Sequence, residues 1–295
     1  MKLARPKSLT LGELKGRPLP PIEAGDKDDH GRLLVIAGSR DLAGAPLLTA
    51  AAAMRSGVGK LQIATVASTA IAVGVAMPEA MVIGLAEGRD GGFARSAVVD
   101  LVELAAEVDA VAAGPGMTES KVSESISAGL CQSSAALVLD AALLRVLPPR
   151  QAAARPSPNP PILLPHSGEM AALLGCSKGD VEANPLDAGR RCAERYGAMV
   201  LVKGATSFLV AADGSAWVYP GGGPGLGVSG SGDVLAGIIG GLLARGADPL
   251  TALLWGVWLH GEAGRSLASK IGPVGFLARE ISTEVPALLA HVSLE

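Results

Sequence analysis

Aromatic side chains make up only 3% of this 295-residue chain. With so few rings, the interior must be filled by Ala, Val, Leu and Gly, which suit closely packed helix-on-sheet layers. Cysteine is also sparse. Cys131, Cys176 and Cys192 show no C-x-x-C spacing, which argues against a disulfide framework or a zinc site and for buried free thiols in a reducing cytoplasm. No basic block occurs and the net charge is −3, so nucleic acid is not an expected partner. The apolar segment Val234–Leu243 stops short of membrane-spanning length, interrupted by Arg245, Asp248 and Pro249. The opening Met1-Lys2-Leu3-Ala4-Arg5-Pro6 lacks the apolar region of a signal peptide. No GxxxxGK[ST] loop is present, and Gly227-Val228-Ser229-Gly230-Ser231 lacks the closing glycine of a serine-hydrolase elbow. No His/Cys/Asp cluster has metal-ligand spacing, so any Mg²⁺ is expected to arrive with phosphate.

What is present has an α/β rhythm. Residues 1–25 read as a proline-rich extended arm on the surface or on a neighbouring subunit, and residues 26–295 as one domain. Leu33–Gly38 is a continuous apolar run of the kind found in buried parallel strands, followed by an Ala-rich helix over Pro46–Ser56 and a strand over Lys60–Ala64. Further strands are predicted at Asp109–Ala113, Ala136–Leu139, Ile162–Leu164 and Met199–Lys203. Helices are predicted at Ser96–Glu107, Ser120–Leu130, Met170–Leu174 and Leu186–Tyr196. A proline-rich link, Pro156–Pro161, precedes the strand at Ile162. Phe208–Ala211 and Ala216–Tyr219 flank Asp213-Gly214, a hairpin signature. A second apolar helix runs from Pro249 to about Leu267. Strands alternating with helices predict a mostly parallel sheet covered on both faces.

The densest signal is Gly221–Gly246. Seven glycines lie between Gly221 and Gly232, and Asp233 then opens an apolar helix. Glycines let backbone N–H groups approach a ligand, and a helix start adds unpaired N–H groups and the positive end of its dipole. Ser229, Gly230, Ser231 and Gly232 therefore read as an anion loop suited to phosphate. Asp233 reads as the base that deprotonates a hydroxyl during phosphoryl transfer, and as a helix-start carboxylate it is expected to be ionised near neutral pH. An Asp cap after a flexible loop would look similar; the glycine density and the Ser-Gly-Ser-Gly-Asp order favour the anion site.

Ligands of open α/β sheets bind at the carboxyl ends of strands. The breaks at Gly38-Ser39, Gly114-Pro115-Gly116, Asp140, His166, Lys203-Gly204 and the Asp233 loop are thus expected to converge on one edge. Lys203 can face a phosphate there. His166 can hydrogen-bond a substrate or serve simply as a structural strand-end residue. Asp140 is placed either to hold a metal-bound water or to cap the next helix. His260 reads as a satisfied helix residue, His30 as part of a solvated turn, and His291 as lying near a frayed end.

Several motifs in one order carry a resemblance over about residues 26–270. They are His30-Gly31 leading into LLVIAGSRDLAGAPLL, then AAGPGM, VLDAALL, ILLPHSGEMAALLG, LVKGATSFLV, PGLGVSGSGDVLAGIIGGLLARG and LHGEAG. In this order the chain resembles the ADP/ATP-dependent NAD(P)H-hydrate dehydratases. That resemblance implies a ribokinase-like three-layer α/β/α sandwich with a mostly parallel central sheet. It also implies metabolite repair: removal of water from (6S)-hydrated NADH or NADPH, with ADP (or ATP) and Mg²⁺, releasing AMP and phosphate when ADP is used. Ala45, Gly116 and His166 match hydrate-contacting positions. Lys203, Gly204, Ala205, Thr206 and Ser207 match the nucleotide-holding segment, Gly232 a nucleotide contact, and Asp233 the position that acts on the substrate hydroxyl. The resemblance further implies a cytoplasmic homo-oligomer, a tetramer in this family, paired in function with a separate NAD(P)H-hydrate epimerase.

The chain departs from the family pattern where Thr-Gly-Gly-Thr-Gly-Asp reads Val228-Ser229-Gly230-Ser231-Gly232-Asp233, and where Val-Leu-Asp-Ala-Asp ends in Ala142. Two other readings share the same residues: a kinase of a small hydroxymethyl heterocycle, and a nucleotide-binding sensor without catalysis.

Overall fold

The protein is described here from a computed structural model covering residues 5–21, 26–150 and 159–293. Among the described residues there are ten strands: β1 (Lys7–Ser8), β2 (Arg32–Ile36), β3 (Lys60–Val66), β4 (Met81–Leu85), β5 (Ala110–Ala113), β6 (Ala136–Leu139), β7 (Ile162–Leu163), β8 (Met199–Val202), β9 (Ser207–Val210) and β10 (Ala216–Tyr219). The helices are α1 (Leu11–Lys15), α2 (Gly44–Arg55), α3 (Ala67–Ala76), α4 (Ala97–Ala106), α5 (Lys121–Leu130), α6 (Ala142–Arg145), α7 (Ser167–Leu174), α8 (Lys178–Ala183), α9 (Pro185–Tyr196), α10 (Ser231–Ala244), α11 (Pro249–Lys270) and α12 (Ala278–Ser293).

The strands form one sheet in the order β1-β10-β9-β8-β7-β6-β5-β2-β3-β4. All run parallel except β9, which is antiparallel to both β8 and β10. That single reversal matters for the site. It returns the chain so that the end of β8, at Lys203, and the end of β10, at Tyr219, reach the same edge. The chain winds outward from β2 through β3 to β4, then restarts on the other side of β2 at β5. The switch point between β2 and β5 is where open α/β sheets form a crevice.

Both faces of the sheet are buried, as the unbroken apolar strands predict. Along β2, Leu33 and Val35 face one core while Leu34 and Ile36 face the other. The first core is shared with α2, α10, α11 and α12, and the second with α4, α5, α7 and α9. Helix α10 is buried almost throughout, from Val234 to Ala244. Burial on all sides explains why its sequence is apolar all round without crossing a membrane. Among the described residues no helix is long and apolar enough to span one.

The N-terminal segment differs from the expected surface arm. Strand β1 pairs with β10 and extends the sheet, and Leu9 and Leu14 are buried. Glu13 accepts a hydrogen bond from the Trp217 indole at 2.9 Å, and the Arg17 carbonyl accepts one from the Trp255 indole at 2.7 Å. Two buried indoles supply N–H groups that need partners, and this segment provides them. Residues 1–4 and 22–25, and residues 156–158 of the proline-rich link, lie outside the described residues. The three cysteines are unpaired, but only Cys192 is fully buried; Cys176 is half-buried and Cys131 exposed, so the reading of all three as buried thiols is corrected.

Candidate active site

Helix α10 begins abruptly. Its cap, Gly230, has φ +88°, and a Cβ there would lie 2.4 Å from Leu48 Cδ1. Glycine meets both demands, so the chain can turn into the helix against α2. No side chain caps the start. The Ser231 N–H donates to the Val228 carbonyl at 3.2 Å. The N–H groups that α10 itself leaves unsatisfied are therefore those of Gly232 and Asp233. The expected anion loop, Ser229–Gly232, is corrected to this extent: the Ser231 amide is already engaged.

Asp233 sits in the first turn of α10. Its carboxyl is pushed up to about 7, first by burial and then by the neighbouring Asp140 carboxylate, while Lys203 pulls it down. The expectation of a carboxylate fully ionised at neutral pH therefore fails. A helix dipole cannot offset the desolvation at this position. The outcome favours base chemistry, because a proton acceptor works best when its pKa lies near the operating pH.

Lys203 follows β8, with its N–H donating to the Pro165 carbonyl at 2.9 Å. Its ammonium donates to Asp140 Oδ1 at 2.8 Å and lies 4.0 Å from Glu169 Oε2. Asp140, read as a helix cap or a holder of a metal-bound water, is not the cap of α6; that place belongs to Ala141, and no side chain bonds the cap. His166 caps α7: its Nδ1 accepts from the Gly168 and Glu169 N–H groups at 2.9 and 3.3 Å, while Glu169 accepts the His166 N–H at 2.9 Å. With Nδ1 accepting, the proton of a neutral ring sits on Nε2, and this half-exposed side chain lines the cavity described next.

A cavity of about 800 Å³ lies beside these groups. It is lined by His166, Lys203, Gly204, Ala205 and Ser207, and by the segment after β10, namely Tyr219–Pro224 and Leu226–Val228. Ser231 and Gly232 also line it, while Thr206, Ser229 and Gly230 do not. The Tyr219 segment is braced from α11, where Arg265 donates to the Tyr219 hydroxyl at 2.6 Å and to the Gly221 carbonyl at 2.9 Å. His260, also from α11, places Nε2 at 3.1 Å from the Ser231 carbonyl and 3.0 Å from its hydroxyl. A carbonyl only accepts, so Nε2 carries a proton; burial lowers the imidazole to about 4 and keeps it neutral. His260 is satisfied, as its sequence position suggests, and its partner is Ser231, the first residue of α10. The LHGEAG motif was the available signal.

Ala45 and Gly116 meet at the switch point. Gly116 has φ +65°, and a Cβ there would lie 2.6 Å from Ala45 Cβ. The Gly38 N–H donates to the Pro115 carbonyl at 2.8 Å, tying the two strand-end turns together. From there contacts continue through Gly114 to Asp140, and from Asp140 to Lys203 and Gly232. The six strand-end breaks thus form one continuous edge. Ala45 and Gly116 border it at one end and the cavity occupies the other.

A volume of about 800 Å³, lined largely by apolar and glycine residues and by the Lys203 side chain, is in the range of small-molecule sites. Among the described residues no group of three or more His, Cys, Asp or Glu side chains is placed to hold a metal ion. The donor set fits Mg²⁺ only as an ion brought in by phosphate oxygens.

Comparison with known proteins agrees with this geometry. Residues 33–287 match the family model for NAD(P)H-hydrate dehydratase. The chain is 47% identical over 287 residues to the ADP-dependent (S)-NAD(P)H-hydrate dehydratase of Xanthomonas campestris pv. campestris, covering 97% of this chain and 96% of that one. It is 34% identical over 279 residues to the bifunctional NAD(P)H-hydrate repair enzyme Nnr of Moorella thermoacetica, matching 94% of this chain but about half (53%) of that protein. Its fold superposes with a TM-score of 0.81 on the ADP/ATP-dependent NAD(P)H-hydrate dehydratase of Bacillus subtilis co-crystallised with ATP/Mg²⁺, at 27% identity and covering 97% and 98% of the two chains. A ribokinase-like sheet, a poised carboxyl at a helix mouth and this near-complete match together place the chain in the NAD(P)H-hydrate dehydratase family.

Proposed function

We propose that the protein dehydrates (6S)-hydrated NADH and NADPH, using ADP as phosphoryl donor and releasing the reduced cofactor, AMP and phosphate. The observation that carries this reading is Asp233: a half-buried carboxyl near neutrality, at the N–H groups that α10 leaves unsatisfied, beside a cavity of about 800 Å³.

Hydroxide leaves poorly and phosphate leaves well. Asp233 accepts the proton of the substrate hydroxyl, whose oxygen then bonds to the terminal phosphorus as the bond from that phosphorus to the AMP oxygen breaks. The Gly232 and Asp233 N–H groups and the Lys203 ammonium stabilise charge on the transferring group. The ring nitrogen then pushes its electron pair toward C6, the C6–O bond breaks with phosphate leaving, and the C5 proton passes to water, restoring the ring double bond. Ala45 and Gly116 are assigned to the nicotinamide side, together with the Nε2 face of His166. Lys203, Gly204, Ala205, Thr206, Ser207 and Gly232 are assigned to the nucleotide. Mg²⁺ brought in with the nucleotide phosphates would supply charge neutralisation there. The preference for ADP is supported by the name of the Xanthomonas relative. A cytoplasmic homo-oligomer working with a separate epimerase completes the proposal.

The test is to incubate the protein with hydrated NADH, Mg²⁺ and either ADP or ATP. Recovery of NADH with stoichiometric AMP and phosphate is expected with ADP. Folded protein that binds nucleotide but restores no NADH would overturn the proposal, and accumulation of a stable phosphorylated product would mark a kinase.

A further inference from the structure

Asp140 has no part in the roles assigned so far, yet the edge of the sheet is built around it. The residue is 2% exposed. A Cβ on Gly114 would lie 1.8 Å from the Asp140 carbonyl, so the end of β5 packs directly against this residue. The next residue, Ala141, has φ +50°, the one non-glycine positive φ among the described residues. Such strain persists only where the surroundings hold it, and it clusters at working sites. A Cβ on Gly232 would stand 3.4 Å from Asp140 Oδ2 and 3.5 Å from Lys203 Nζ, so both charges face the start of α10.

We propose that Asp140 is a positioning residue of the transfer site: its buried carboxylate, 2.8 Å from Lys203 Nζ, holds the ammonium at the α10 start and sets the field felt by Asp233. The two charges act on Asp233 in opposite senses. Asp140, at the end of β6, makes it a stronger proton acceptor; Lys203, at the end of β8, makes it a weaker one. Glu169 of α7 stands behind Lys203 at 4.0 Å, and His260 of α11 faces the same helix start as a neutral ring. Because Lys203 already has a carboxylate partner, it does not collapse onto Asp233 and neutralise the base. When a phosphate arrives, the ammonium is at hand and the base keeps its proton affinity. The assignment of Asp233 as base rests on the proposed function; the placement of the pair does not.

The experiment therefore has an arm that needs no turnover. The Asp233 carboxyl is followed by NMR in unliganded protein labelled with ¹³C-aspartate, its signal assigned by its loss in Asp233→Asn. In Asp140→Asn the titration midpoint is expected to fall by about half a pH unit or more, and in Lys203→Met to rise by a similar amount. Opposite shifts are the signature; a merely structural role moves neither midpoint in this paired way. In turnover, the acid limb of kcat/KM for hydrated NADH is expected to follow the same two directions, and Asp140→Asn lowers kcat about tenfold with ADP affinity little changed. An unmoved Asp233 midpoint in Asp140→Asn overturns the proposal. If that variant does not fold, an unmoved or lowered midpoint in Lys203→Met does so. If wild-type protein shows no nucleotide-dependent dehydration, the proposed function fails while the titration still decides this one.

Discussion

The two ends of the sheet's carboxyl edge are made in different ways. Beyond β8 and β10 the chain leaves open volume, about 800 Å³, walled by glycine-rich backbone and braced by Arg265 and Tyr219. At the β2/β5 switch point there is contact instead: Ala45 and Gly116 approach so closely that one added methyl group would lie 2.6 Å from its neighbour. The first end offers pre-formed space and one ammonium, the second closely packed backbone. Helix α10 starts between them, so a single carboxyl serves both. The difference predicts that substitutions at the two ends separate: one set acts first on the nucleotide, the other on the hydrated dinucleotide, while the junction of Asp233, with Lys203 beside it, acts on the chemistry.

The largest effect is expected at the junction. Asp233→Asn should reduce kcat by about a thousandfold, as for removal of a general base, while ADP affinity by calorimetry changes by no more than a few fold. Parallel loss of binding and rate would erase the distinction between junction and cavity. Next, Lys203→Met should weaken ADP binding by about ten- to a hundredfold, since it removes the ammonium that lines the cavity. Gly116→Val adds bulk against Ala45 at a positive φ and should raise KM for hydrated NADH by about tenfold, with ADP affinity unchanged. A matching loss in ADP affinity would show that the two ends are not separate.

The smallest effect is on stability. The folded Asp233 carboxyl, at about 7, lies above its ordinary value of 3.8. Its stabilising contribution is thus present in full below about pH 4 and is lost as pH rises through 7. Asp233→Asn should accordingly raise Tm by about 3–6 °C at pH 8 and by much less at pH 4.5. Equal shifts at both pH values would mean that the carboxyl is not desolvated in solution.

Much of this arrangement was legible in the residues. The continuous apolar strands, the Asp213-Gly214 hairpin and the glycine run before Asp233 mark their elements because short-range rules suffice there. Other elements escaped notice. Helix α3 follows Val66, which makes no side-chain cap bond, and α12 carries Pro286 inside it. Strand β4 is an edge strand with Met81 exposed, so it lacks the buried pattern of its neighbours. In the site, Gly-Ser-Gly-Asp announced a helix start with free N–H groups, but not the raised pKa of Asp233. That depends on burial and on Asp140, 93 positions earlier in the chain. The Asp140–Lys203 pair is brought together by the sheet order, and the grip of His260 on Ser231 by the packing of α11 on α10. No spacing rule encodes them.

The strand Lys7–Ser8 has a practical consequence. It is stitched to β10, whose last residue, Tyr219, lines the cavity proposed to take the nucleotide. An affinity tag fused directly ahead of Lys7, or a protease nick before Gly16, would pull at that seam. Preparations handled in this way should therefore differ in how firmly they hold nucleotide, although the altered residues lie outside the cavity.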